Sequence, residues 1–295
     1  MNRIAVFSSN PGRAGGLVRK LRAAGHGVSW LFGAGGTQAD KGPLGQELSG
    51  VEIHELPPKL TDAAFQAFYA KCRPRLTIIA GLSRILPKEL IGIPDLGTIN
   101  LHGGRVPQYR GGSQLNWQII NGEKEIGISI LRVDEGIDTG PVLAQAKFAI
   151  ADSDDIAFAH ARANDLFGDL AVDVVGALEA GRAAETAQDE TQAAYWHQRS
   201  DADGAIRWNE MTARQVHDLV RALSPLYPAA HCAGPSGTVR FSKTELPDLV
   251  LRGVPGRVVF LQKRGPYVIC LDRAILALKY ETSDGGLLRH GSCFT

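Results

Sequence analysis

The first half of this 295-residue chain alternates short apolar runs with stretches of helical periodicity. Several runs are uninterrupted Val, Ile and Leu, which is typical of strands buried on both faces of a parallel sheet. The alternation therefore predicts the α/β class, with a mostly parallel sheet and helices on both faces. The predicted strands are Ile4–Phe7, Val28–Phe32, Val51–Leu56, Leu76–Ala80, Thr98–Leu101, Ile126–Val133 and Val142–Ile150, and the predicted helices cover 15–24, 61–72, 87–92, 113–121 and 155–180.

The pattern changes after residue 182, where a polar stretch rich in Ala, Gln and Thr predicts a linker over 183–205. A helix near 212–223 and several short strands with turn residues between them follow. This pattern predicts a small C-terminal β-barrel, similar in size to an oligonucleotide-binding (OB) barrel. The chain thus divides into a first domain over 1–182, the linker, and a second domain over 206–295. The strands predicted there are Thr238–Ser242, Arg257–Leu261, Tyr267–Leu271 and Ile275–Tyr280.

Composition disfavours several classes of protein. The 32 Lys and Arg side chains nearly balance 31 Asp and Glu, so no basic surplus indicates a nucleic-acid partner. The four cysteines are far apart and form no C-x-x-C pair, so we expect neither a disulfide framework nor a metal site. The N-terminus lacks the apolar stretch of a signal peptide, and no apolar run approaches the roughly 18 residues of a membrane span. We expect a soluble cytoplasmic protein.

Chemically useful side chains are densest between residues 98 and 145. Asn100 and His102 lie at the carboxyl end of a predicted strand, where open parallel sheets bind ligands. Their i, i+2 spacing places both on one face. Asp138 follows in a glycine-bounded loop, which adjacent parallel strands can bring beside His102. Each residue alone has a structural explanation, as a buried histidine or a turn residue, but an amide, an imidazole and a carboxylate together suit acyl transfer.

The order of the surrounding motifs adds to this prediction. N-L-H, P-Q-Y-R-G-G, L-N-W-Q-I-I-N-G-E, G-I-S-I and D-E-G-I-D-T-G-P-V-L follow one another between Asn100 and Leu143. This series resembles the formyltransferases that use 10-formyltetrahydrofolate. The resemblance is tightest over about 76–145, extends more loosely along the chain, and implies a Rossmann-like catalytic domain followed by a small barrel domain.

By this resemblance, Asn100, His102 and Asp138 fall on the family's catalytic Asn, His and Asp. Negative charge develops on the formyl oxygen when a neutral amine attacks the formyl carbon, and Asn100 and His102 can donate hydrogen bonds to that oxygen. His102, or Asp138 through a water, can move the proton that the amine loses. Which of the two is the base stays open.

The resemblance also implies residues that bind the folate and the acceptor. The folate pocket would lie between two loops, with the contacts Leu82, Arg84, Ile85, Leu86, Val133, Asp134, Gly136 and Ile137. Acceptor contacts are expected from Tyr109 and Arg110, which can equally brace the loop beneath the active site. Asn10 and Arg13 follow the first strand and begin a helix, a position that suits a diphosphate or equally a tight turn with Arg13 in solvent.

The acceptor amine follows from comparing subfamilies. Glycinamide ribonucleotide transformylases have one domain, whereas tRNA formyltransferases usually carry a basic insertion after the second strand. Here the matching stretch, 33–43, holds only Lys41, and a grip on a polyanion needs several basic contacts. Leu115-Asn116-Trp117 resembles the sugar enzymes. We therefore expect a nucleotide-linked amino-deoxy sugar as the substrate, in the biosynthesis of a surface polysaccharide such as a lipopolysaccharide O-antigen.

Two other functions stay open at this point. One is methionyl-tRNA formyltransferase, and the other is a protein of the same fold that has lost catalysis and senses folate or nucleotide. The resemblance further implies a homodimer. From the apolar runs and the spacing of the cysteines we expect no membrane association and no metal.

Overall fold

The computed structural model describes residues 3–33, 48–261 and 263–294. Its larger sheet has seven strands in the order β3-β2-β1-β4-β5-β7-β8. The pairings among β1 to β5 are all parallel, which confirms the predicted mostly parallel sheet with its helices. The strands are β1 (Ile4–Ser8), β2 (Val28–Gly33), β3 (Glu52–Glu55), β4 (Leu76–Ile79), β5 (Thr98–His102), β7 (Glu125–Arg132) and β8 (Val142–Ala149).

Burial explains why the apolar runs became central strands. Every residue of β1 and β4 is buried, as expected for strands covered on both faces. The edge strand β3 has no buried residue, in keeping with the sequence EIHE. The chain leaves β1 on one side toward β2 and β3, then crosses to β4 on the other side. That reversal places a topological switch point between β1 and β4.

One pairing differs from the expectation. The sequence predicted that adjacent parallel strands would bring the Asp138 loop beside His102, but β7 pairs antiparallel to β5, with Asn100 opposite Leu131 and His102 opposite Ser129. The strand that leads into the loop therefore runs toward the amino end of β5. The loop has to fold back to reach His102.

The longest helix starts and stops at residues suited to capping. Asp155 Oδ1 accepts the backbone N–H groups of Ala157 and Phe158 at 2.9 and 3.1 Å, which fixes the start of the longest helix. Gly181 follows that helix with φ of +65°, the stop predicted from the sequence. The helices are α1 (Pro11–Ala23), α2 (Ala63–Cys72), α3 (Lys88–Ile91), α4 (Gln114–Ile120), α5 (Ile156–Glu179) and α6 (Ala213–Leu223).

The C-terminal residues form a five-stranded antiparallel sheet in the order β10-β11-β14-β13-β12. Its core joins one face of α6 to aromatic and aliphatic side chains that include Trp208, Phe241 and Phe294. The predicted small β-domain is thereby confirmed as an antiparallel sheet with a helix. Its strands are β10 (Ala230–Gly234), β11 (Gly237–Glu245), β12 (Val258–Leu261), β13 (Arg264–Ile269) and β14 (Ala274–Thr282).

The chain forms two compact units. The first comprises 1–111, 127–147 and 161–195, and the second comprises 112–126, 148–160 and 196–295. The predicted boundaries at 182 and 205 divide the chain into consecutive domains, whereas the second unit also includes the earlier segments 112–126 and 148–160. Part of the expected linker, residues 183–195, lies in the first unit. Arg110–Gly111 and Tyr195–Trp196 form the short strands β6 and β9.

The structure bears only in part on the expectations for residues 33–43 and for membrane spans. The stretch 33–43, predicted to lack a polyanion grip, lies outside the described residues apart from Gly33. None of the helices within the described ranges combines the length and apolar character that a membrane crossing requires.

A neutral histidine is buried within the second unit. His217 Nε2 lies 3.0 Å from the Asp152 carbonyl oxygen and Nδ1 lies 2.9 Å from the Thr244 hydroxyl. Because a carbonyl only accepts, Nε2 carries the proton and Nδ1 accepts from the hydroxyl. Burial lowers the pKa of His217, outweighing the opposing effects of its bond to Asp152 and of the Asp218 charge, while Arg221 and Arg214 lower the pKa further.

We expect stability to fall with acid because of His217. A histidine in the unfolded chain binds a proton near pH 6.5, whereas folded His217 does so only at lower pH, so unfolding takes up a proton below about pH 6.5. The contribution of His217 to the free energy of unfolding should therefore not change with pH above about 6.5, and it should decrease as the pH falls below that value. Urea unfolding between pH 5 and 8 should show a weaker acid-side decrease in His217→Gln. The exposed His290→Gln serves as the control and should retain the wild-type dependence.

Candidate active site

The predicted site residues gather at the carboxyl edge of the parallel strands. The segments after β1 and β4 meet there, with Ser9 N–H donating to the Gly81 carbonyl at 3.0 Å. Asn100 and His102 lie at the end of the next strand, β5. This edge, next to the switch point, is where open α/β sheets bind ligands.

The His102 ring is fixed by a backbone contact. Its side chain is 6% exposed, and Nε2 lies 2.6 Å from the Tyr109 carbonyl oxygen. Because a carbonyl cannot donate, Nε2 carries a hydrogen in every protonation state. The proton that can come and go on His102 is therefore the one on Nδ1.

Asp138 connects the other members of the site. Its Oδ1 accepts a hydrogen bond from Asn100 Nδ2 at 3.2 Å and lies 3.4 Å from His102 Nδ1, while Oδ2 accepts from the Gly111 N–H at 2.9 Å. The structure thus brings the amide, imidazole and carboxylate together, as the sequence predicted. Their catalytic roles stay a prediction.

The loop that carries Asp138 is tightly folded. It begins at Val133, whose N–H donates to the Thr98 carbonyl at 2.9 Å at the start of β5. It ends at Gly140, where an added Cβ would lie 2.1 Å from the Arg132 carbonyl oxygen. Asp138 itself has φ of +55°, a left-handed conformation that is uncommon for a residue other than glycine. The antiparallel strand therefore delivers Asp138 to His102 through a constrained turn.

The two segments predicted to flank the folate share one apolar cluster. Leu86 is buried in it, and Leu82 and Val133 pack against it from their respective loops. Ile85 and Ile137, on the same two loops, are 79% and 52% exposed. Two large aliphatic side chains are thus open to solvent beside a shared apolar base.

The remaining residues predicted for the folate have local contacts. Asp134 Oδ1 accepts from the Gly136 N–H at 3.0 Å and from the Thr139 hydroxyl at 2.6 Å, which closes the turn before Asp138. Arg84 donates to the carbonyl oxygens of Pro57 and Pro58. Their roles toward a folate stay predictions.

Asn10 and Arg13 lie at the start of α1. Asn10 Oδ1 accepts from the Arg13 N–H at 3.0 Å and caps the helix, and Arg13 Nε donates to Asn164 Oδ1 at 2.8 Å. The Arg13 guanidinium covers Gly81, because an added Cβ there would lie 2.7 Å from Nη1. Arg13 is therefore positioned at the switch point, and binding of a diphosphate there stays a prediction.

Arg110 is enclosed by the polar segment that the sequence predicted to be a linker. Its five N–H donors all have partners, since they reach Gln188 Oε1 twice, Glu190 twice and the Tyr195 hydroxyl once, at 2.6 to 3.0 Å. The hydrogen bond with Glu190 raises the pKa of Arg110 and lowers the pKa of Glu190. Both Arg110 and Tyr109 are buried, and the contacts of Arg110 are in keeping with the bracing role. A contact of this pair with the substrate stays a prediction.

Sequence reasoning missed Gln188. Its Nε2 donates to the carbonyl oxygens of Asp138 at 2.8 Å and Gly140 at 2.7 Å. The partners are about 50 positions apart along the chain, and a glutamine within a polar stretch carries no periodic signal. Within the described ranges, no three His, Cys, Asp or Glu side chains are placed to hold a metal ion.

Comparison with known proteins gives this geometry a family. The methionyl-tRNA formyltransferase of Syntrophus aciditrophicus is 34% identical over 71% of this chain and 66% of its own length. That of Stutzerimonas stutzeri is 28% identical over 98% of this chain and 93% of its own length. This chain thus spans about two thirds of the first relative and nearly all of the second.

Solved structures show the same fold. HypX from Aquifex aeolicus superposes with a TM-score of 0.69 at 20% identity, over 96% of this chain but only 44% of HypX. WlaRD, a sugar 3N-formyl transferase, superposes with a TM-score of 0.67 at 16% identity, over 94% of this chain and 97% of WlaRD. Residues 2–175 match the Formyl transferase family and residues 199–289 match the Formyl transferase C-terminal domain. The chain therefore belongs to the formyl transferase family.

Proposed function

We propose that this chain transfers a formyl group from 10-formyltetrahydrofolate to a primary amine. The observation that carries the proposal is that Asn100 Nδ2 and His102 Nδ1 both face the same oxygen of Asp138, Oδ1, at 3.2 and 3.4 Å. Membership of the formyl transferase family supports it. The set provides a hydrogen-bond donor, a proton carrier and a fixed negative charge, which are the groups that formyl transfer to an amine needs.

Asn100 is suited to stabilise the formyl oxygen. Its Nδ2 has two hydrogens, and the bond to Asp138 Oδ1 uses one of them, so the second can be donated to an oxygen that gains charge as the amine attacks. Removal of one such donor typically costs about 3–4 kcal/mol of activation free energy.

His102 is suited to move the proton. Because Tyr109 holds Nε2–H, the proton from the attacking amine arrives at Nδ1, either directly or through Asp138. The Asp138 carboxylate faces Nδ1 and stabilises the positive charge that the ring then carries. A fixed carboxylate beside an imidazole also orients the ring for that transfer.

The two loops that expose Ile85 and Ile137 are suited to bind the folate. Bound 10-formyltetrahydrofolate supplies an electrophilic formyl carbon on a nitrogen that can leave. The side chains that would hold it are Ile85 and Ile137, above the apolar base that Leu82, Leu86 and Val133 share. Apolar side chains with a few polar groups among them are the usual lining of a site for such a ring system.

For the amine, methionyl-tRNA has more support than the nucleotide sugar expected from the sequence. Relatives named methionyl-tRNA formyltransferase match at up to 34% identity, one of them across nearly the whole chain. Residues 199–295 carry 13 Lys and Arg against nine Asp and Glu, a surplus hidden by the balanced total. A basic domain suits a polyanion.

A nucleotide-linked amino sugar is the second candidate. The stretch 33–43 has Lys41 as its single basic residue, which argues against a grip on an acceptor stem there. WlaRD, the sugar 3N-formyl transferase, was crystallised with dTDP and 5-N-formyl-THF and has the same fold.

We expect His102→Ala to lower turnover by roughly 10²–10⁴-fold, the usual contribution of a general acid–base group. Consumption of 10-formyltetrahydrofolate in the presence of the acceptor amine measures it. The exposed His290→Ala is the matched control and should retain turnover. Near wild-type turnover in His102→Ala would remove His102 from the mechanism.

The acceptor prediction calls for parallel assays with initiator methionyl-tRNA and with a panel of dTDP- and UDP-linked amino sugars. We expect formylation of the tRNA, with a rate that falls steeply between about 50 and 200 mM salt because phosphate contacts are lost. Turnover of the amino sugars alone, with little dependence on salt, would transfer the assignment to the second candidate. Turnover of neither would contradict formyl transfer and favour a folate or nucleotide sensor.

A further inference from the structure

We infer that Gln188 is a positioning residue for Asp138, an inference that rests on the proposed function. The side-chain amide spans the space between the Asp138 loop and Arg110. Its Nε2 donates to the carbonyl oxygens of Asp138 and Gly140 at 2.8 and 2.7 Å. Its Oε1 accepts from Arg110 Nε and Nη2 at 3.0 and 2.9 Å.

The two bonds to the loop enclose the strained part of its backbone. Asp138 has φ of +55°, a conformation that a residue with a Cβ keeps only where the surroundings hold it. Gln188 bonds the carbonyl of Asp138 itself and that of Gly140 two residues later. The amide therefore holds the peptide groups on the C-terminal side of Asp138, and so sets where the carboxylate points.

Arg110 determines the orientation of the amide. A guanidinium has only donors, so the oxygen of Gln188 must face Arg110 and the nitrogen must face the loop. Glu190 and Tyr195 occupy the other Arg110 donors and keep the guanidinium in place. The polar segment 188–195 thus reaches the catalytic carboxylate through one chain of hydrogen bonds, all within the first compact unit.

Gln188→Glu separates positioning from simple bracing. Glutamate keeps the shape and the acceptor toward Arg110, and would even pair with its charge, but it presents an acceptor to two carbonyl oxygens. A purely bracing role therefore predicts an unchanged enzyme. The positioning role predicts that kcat falls by about 10–100-fold, the effect of moving a reacting group by about 1 Å. The melting temperature should equal that of the wild type.

The matched control is Gln192→Glu, which adds the same charge four residues along the same segment. Gln192 contacts Gln108 and Asp189 and not the Asp138 loop, so its kcat should equal that of the wild type. The loss in Gln188→Glu should also appear equally in kcat and kcat/KM for the amine, as expected when an interaction matters in the transition state.

Several outcomes would overturn the inference. Wild-type kcat in Gln188→Glu, or an equal loss in Gln192→Glu, would show that Gln188 does not position Asp138. If Gln188→Glu fails to fold, Gln188→Met decides, because it removes the bonds without adding a charge: native kcat overturns the inference and reduced kcat in a folded protein supports it. An inactive wild type would instead overturn the proposed function, and this inference with it.

Discussion

The site depends on the Asp138 carboxylate being held against the end of β5. Its Oδ1 accepts a hydrogen bond from Asn100 and faces His102, and its Oδ2 accepts a hydrogen bond from the Gly111 N–H. A carboxylate that is only 12% exposed needs such donors, because an uncompensated charge would be costly to bury. The bond from Asn100 that compensates the charge also fixes the amide, while the imidazole faces the carboxylate from a ring held by the Tyr109 carbonyl. Compensation of the Asp138 charge and orientation of the Asn100 amide are therefore a single requirement.

The parts of this arrangement that lie along one strand could be predicted from the sequence. Asn100 and His102 share a face because of the two-residue period of a strand, and their position at its carboxyl end follows from the run of apolar residues before them. The seven strands of the sheet and the long helix ending near Gly181 could be predicted for the same reason, since each is encoded by a local pattern.

The parts that depend on distant segments could not be predicted in this way. Strand direction at β7 is set by tertiary pairing, so the antiparallel register of Ser129 with His102 left no mark in the local sequence. The sequence left Arg110 between a substrate contact and a bracing role because its partners lie about 80 positions away. The family resemblance supplied Asp138 without its geometry, and neither resemblance nor periodicity supplied Gln188.

These two groups of residues differ in what they contribute to the chemistry. The strand end places Asn100 and His102 by backbone pairing, which every neighbouring strand reinforces. The carboxylate instead lies on a turn with a left-handed residue, and its position depends on side-chain hydrogen bonds from a polar segment. Interactions of side chains with a loop are easier to alter than a strand register, because they involve fewer cooperative bonds. The position of the charge, rather than that of the donors, is therefore the adjustable element of this site, and a change in the 188–195 segment can alter turnover without touching a reacting group.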